Sequence, residues 1–75
     1  MNNQEKLSIL KKILERNFKL FKVGKNTDIT KTKNWDSLKQ IELIMLIERK
    51  FKKKIKTKNL FKLKTVKNFL EVIDN

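Results

Sequence analysis

Asp36-Ser37-Leu38-Lys39-Gln40-Ile41-Glu42-Leu43-Ile44-Met45-Leu46-Ile47-Glu48-Arg49-Lys50-Phe51 decides how the rest of this chain is read. Its apolar residues recur at helical intervals and the stretch holds neither glycine nor proline, so the spacing predicts a helix from Ser37 to about Lys52. At roughly 100° per residue, Leu43, Ile44, Ile47 and Phe51 fall on one arc, with Leu38, Ile41 and Met45 nearly opposite. One arc supplies a core. The other has two readings: the helix is central and buried all round, or the second stripe is a surface that a partner covers. That stripe begins directly after Ser37, and Met45 suits an adaptable surface because its thioether chain can repack. Ser37 also has two readings. A serine at a helix start is ordinarily a cap contributing about 1 kcal/mol. Ser37 and Gln40 have capping-box spacing, and Asp36 is a competing cap.

Outward from this helix, Asn2 and Glu5 have capping-box spacing, and Leu7, Leu10, Ile13 and Leu14 continue a helical pattern to about Asn17. Between Phe18 and Trp35 the periodicity is lost. A connection of that length is expected to be packed, with Phe21, Val23 and Ile29 folding back onto the core, and a short strand over Phe18 to Val23 is the alternative. A short helical turn is expected around Lys58 to Lys62. A last helix opens at Thr65, with Val66, Phe69, Leu70 and Ile73 on one face. There are no repeats, no proline and one glycine, Gly24, hence no interdomain linker. The expected fold is all-α, a single domain over residues 1–75 built as a small bundle of three principal helices and one short one.

A chain of 75 residues lies near the lower limit at which an apolar core suffices, and it has no cysteine to staple it. Histidine is absent too, so the usual neutral-pH base and the thiol nucleophile are both missing. No apolar run is long enough to span a membrane, and residues Met1 to Glu5 form no apolar signal region, which makes a cytoplasmic location the default expectation. The net charge of +12 opens a competing function, a basic helical module that binds nucleic acid or acidic membrane surfaces. Against it, the basic residues are lysines apart from Arg16 and Arg49, as an AT-rich coding sequence would give, whereas phosphate and base readers favour the arginine fork. The lysines are also spread over every segment. A membrane-surface helix is only partly present in Ser37 to Lys54.

D-S-L at Asp36 to Leu38, followed at matching spacing by Ile41-Glu42-Leu43, Glu48, Phe51, Ile55, Thr65-Val66, Leu70 and Ile73, resembles the acyl carrier proteins. The resemblance implies that Ser37 carries a covalent 4′-phosphopantetheine arm holding acyl or aminoacyl intermediates as thioesters. It implies a carrier rather than an enzyme, at work in fatty-acid, lipid or related biosynthesis. Asp36 would help a phosphopantetheinyl transferase organise its metal and cofactor. Leu38, Ile41, Glu42, Met45, Glu48 and Ile55 would dock partners on a monomer. The position is physically apt, since a helix start offers free N–H groups and a positive dipole end to the phosphate. From the residues alone, Glu42 and Glu48 are solvated helix charges, with Glu48 able to pair with Lys52. Trp35 replaces the small residue usual in the main fatty-acid carriers and resembles carriers dedicated to one pathway. Lys39, Arg49, Lys50, Lys52, Lys53 and Lys54 occupy a region that is acidic in typical carriers. Like charges across an interface are unfavourable, so dedicated partner enzymes with acidic or apolar docking surfaces are expected.

Overall fold

The computed structural model describes residues 2–74 and contains three helices, α1 Asn3–Phe18, α2 Ser37–Phe51 and α3 Val66–Asp74, with 3-10 turns at Ile29–Lys31 and Thr57–Asn59. Each helix has a local reason for its ends. The Asn2 side chain accepts a hydrogen bond of 2.8 Å from the Glu5 amide, the forward half of the expected capping box. At the other end Lys19 turns left-handed at φ 55°, and the Lys19 and Leu20 amides close back on the Glu15 and Leu14 carbonyls. α3 opens with a reciprocal box, in which Thr65 Oγ accepts from the Asn68 amide at 3.1 Å and Asn68 Oδ1 accepts from the Thr65 amide at 3.0 Å. Asn68 thus takes the place usually held by Glu or Gln.

The core is the meeting of three apolar stripes. Leu10 and Leu14 of α1, Leu43, Ile44 and Ile47 of α2, and Val66, Phe69, Leu70 and Ile73 of α3 are buried together. The long connection between α1 and α2 is packed, as expected, through Val23 and Ile29. Phe21 departs from the expectation and stands exposed, and Phe18 to Val23 form no strand. What holds the connection is the entry to α3. The Ile29 amide donates to the Lys64 carbonyl at 2.9 Å and the Lys67 amide to the Lys25 carbonyl at 2.9 Å, beside an isolated bridge between Asp28 and Thr65. Asp28 caps the first 3-10 turn through the Thr30 amide and hydroxyl. The Thr30 hydroxyl bond above all, with the nearby Lys31 and Lys64 charges, holds the Asp28 carboxyl below the usual range.

The short helical turn expected around Lys58 to Lys62 is present as the 3-10 turn Thr57–Asn59 followed by turns to Lys62. Its sequence offers no continuous apolar face; Leu63 is buried and Leu60 half-buried, while Phe61 faces solvent. At the far end of α3, the Lys53 ammonium donates to the Ile73 carbonyl at 2.7 Å and Lys6 pairs with Asp74, placing cations at a helix C-terminus.

Candidate functional site

The start of α2 assigns its cap to Asp36, not Ser37. Asp36 has extended backbone at φ −141° and ψ −177°, and its Oδ1 accepts from the Lys39 amide at 2.9 Å. Ser37 is therefore the first residue inside the helix. The expected Ser37–Gln40 capping box does not form, because the capping position is one residue earlier and Gln40 points into the core. The consequence for Ser37 is chemical freedom: its side chain is exposed, and its hydroxyl has no hydrogen-bond partner among the described residues.

Trp35 leads the chain into this corner. Asn34 turns left-handed at φ 68°, and the half-buried Trp35 ring packs at 5.1 Å between centroids, tilted by 52°, against Phe18 of α1. Its indole N–H donates to Gln40 Oε1 at 2.9 Å. Gln40, 3 % exposed, passes its own amide protons to the Leu60 and Leu63 carbonyls at 2.9 and 2.8 Å. The result is an open depression of about 230 Å³ beside Ser37, lined by Thr30, Trp35, Asp36, Gln40, Phe61 and Lys64.

This corner fits a phosphodiester on Ser37. The Ser37 and Leu38 amides belong to the first helical turn, where N–H groups have no intrahelical acceptor, and the helix dipole is positive there. Lys64 adds a full positive charge at the rim. The depression is open to solvent on one side, so a long substituent on the serine has a way out past the Phe61 and Lys64 wall. Among the described residues no cluster of acidic side chains is arranged to hold a metal ion.

The second apolar stripe of α2 is a surface. Leu38 is 65 % exposed, Met45 is 54 % exposed and Ile41 is exposed as well, whereas Leu43, Ile44 and Ile47 are buried. A helix buried all round is thereby excluded. Glu42 is exposed too, so four of the six expected docking residues are exposed. Ile55 is a correction, while Glu48 is half-buried beside Met45. Ile55 lies in the core, and Glu48 Oε2 accepts from the Ile55 amide at 2.7 Å rather than pairing with Lys52, so both serve to close the turn after α2. Beyond Met45, a second open depression of about 440 Å³ is rimmed by Arg49, Lys52, Lys53 and Lys54.

Phe61 and Lys64 were not among the expected site residues, and Gln40 was expected only as a capping partner of Ser37. Gln40 had a signal: it precedes Leu43, Ile44 and Ile47 at helical spacing, on the core arc, where a polar side chain must find partners. Phe61 and Lys64 had none, since their place beside Ser37 follows from the turn that carries them.

Comparison with known families adds an independent finding. The family model described as the phosphopantetheine attachment site matches residues 35–73, a little over half of the chain, from Trp35 through the core face of α3. Among curated proteins no match to this chain was found.

Proposed function

The chain belongs to the phosphopantetheine-binding carrier proteins of the acyl carrier family, whose prosthetic group is a covalent 4′-phosphopantetheine, and we propose that it holds that group on Ser37. The observation that carries this is the division of labour at the start of α2: Asp36 does the capping and leaves the Ser37 hydroxyl exposed. When bound, the arm supplies a mobile thiol that carries acyl or aminoacyl cargo as a thioester. The protein's share is to hold the phosphate and present a docking face. In loading, Ser37 Oγ attacks the pantetheine-bearing phosphorus of coenzyme A, forming one P–O bond as the pyrophosphate P–O bond breaks. The adenosine bisphosphate half leaves, and the serine proton passes to a base on the transferase.

Several of this chain's residues have roles in that reading. The Ser37 and Leu38 amides and Lys64 would hold the phosphodiester charge. Asp36, with Oδ1 committed to the Lys39 amide, keeps Oδ2 for the transferase's metal-bound cofactor. Leu38, Ile41, Glu42 and Met45 form the docking face for the transferase and for enzymes that load and unload cargo. The cations along α2 favour dedicated partners with acidic or apolar surfaces. The whole chain acts as one monomeric carrier domain in the cytoplasm, serving one fatty-acid, lipid or related pathway rather than catalysing a step. No helix of the described residues is long and apolar enough to cross a membrane.

The test is modification by a phosphopantetheinyl transferase with coenzyme A and magnesium. One phosphopantetheine increment is expected, on Ser37, and none on Ser37→Ala. The chain has one other serine, Ser8 on α1, so an increment there, or one that survives Ser37→Ala, overturns the assignment.

A further inference from the structure

Gln40 is the buried polar side chain of the described core, and no part of the carrier reading uses it. Its single amide joins two pieces of chain that are far apart in sequence. The oxygen holds the indole of Trp35, the residue that leads into Asp36 and Ser37. The nitrogen holds the Leu60 and Leu63 carbonyls. Between those carbonyls sits Phe61, and Lys64 follows directly; both line the depression at Ser37. The segment from Leu60 to Leu63 is a turn rather than a helix, so few bonds of its own fix it, and Leu63 is its one buried side chain.

We propose that Gln40 is the positioning residue of the Ser37 site, fixing the wall formed by Phe61 and Lys64 at the distance from Ser37 that the transferase recognises. The inference rests on the assignment of Ser37 as the attachment point. Gln40 does not touch the serine oxygen. Its loss therefore alters how the carrier is recognised, not how the phosphoryl group is transferred. Two variants separate its bonds. Gln40→Met keeps volume and removes every bond, whereas Gln40→Glu keeps the acceptor for Trp35 and sets a carboxylate oxygen against the two carbonyls. Trp35→Phe removes the indole donor and leaves the turn bonds in place.

The experiment measures loading kinetics with a phosphopantetheinyl transferase and coenzyme A, and amide exchange of residues 60–63, at a temperature where circular dichroism shows each variant folded. Both Gln40 variants are expected to exchange faster in that turn and to raise the KM for the carrier about fivefold, the factor of one net hydrogen bond, with kcat unchanged. Trp35→Phe leaves exchange in the turn at the wild-type rate. A Phe61→Ala/Lys64→Ala double variant raises KM in the wild-type background and adds nothing to Gln40→Met, because the wall is already displaced. Wild-type KM in the Gln40 variants, or effects that simply add, overturns the positioning role while Ser37 stands. A wild-type protein left unlabelled at Ser37 fails the attachment assignment itself, and the inference falls with it.

Discussion

Asp36 and Ser37 sit side by side at the start of α2 and do different work, which gives a direct contrast between them. Asp36→Ala removes the side-chain acceptor of the Lys39 amide and is expected to cost about 1 kcal/mol of stability. Ser37→Ala removes no hydrogen bond and should leave urea unfolding unchanged. Equal losses from the two substitutions would show that the hydroxyl shares the cap. From the sequence, both were visible as cap candidates, and the family spacing singled out Ser37. The choice between them was not visible, because neighbouring residues at a helix start compete for the same amides and backbone conformation decides. Glu48 was misread for a related reason. A glutamate four residues before a lysine suggests an ion pair, but the chain reversal after Phe51 brings the Ile55 amide to it first.

α2 is the element in which fold and function meet, since one face makes the core and the opposite face lies open beside Ser37. Truncating the core face by Leu43→Ala is expected to cost about 2–5 kcal/mol, enough to unfold a domain of this size. Ile41→Ser and Met45→Ser should leave the melting temperature near that of the wild type and weaken loading by the transferase. Thermal melts beside loading rates check the pair. Melting temperatures that collapse in the Ile41 and Met45 variants would place that stripe in the core. Periodicity revealed both stripes, and packing alone told which was covered. The helical elements were legible because Leu10, Leu14, Leu43, Ile47, Phe69 and Ile73 repeat at helical spacing. The second 3-10 turn was legible only as a short helical turn around Lys58 to Lys62, and the first was not, since Ile29 is placed by its pairing with Lys64, a contact without a local signal.

Across the whole molecule the dominant quantity is charge, +12 on a body whose longest extent is 31 Å. At low ionic strength these charges repel one another through the entire fold, and screening shortens their reach to about 10 Å at 0.1 M salt. Raising salt is therefore expected to raise the melting temperature, with sulfate ahead of chloride at equal ionic strength because it also binds at helix N-termini. Calorimetry across a salt series checks this, and a flat response would mean the lysines are too widely spaced to interact.

The central claim is that this small basic bundle carries its arm on Ser37, and intact-mass measurement with peptide mapping, before and after treatment with a phosphopantetheinyl transferase, coenzyme A and magnesium, tests it most directly. The wild-type protein is expected to gain one phosphopantetheine increment on the peptide containing Ser37, and Ser37→Ala to gain none. An increment on Ser8, or a wild-type protein isolated from its own cells with Ser37 bare and still unmodified by the cognate transferase, would contradict the account.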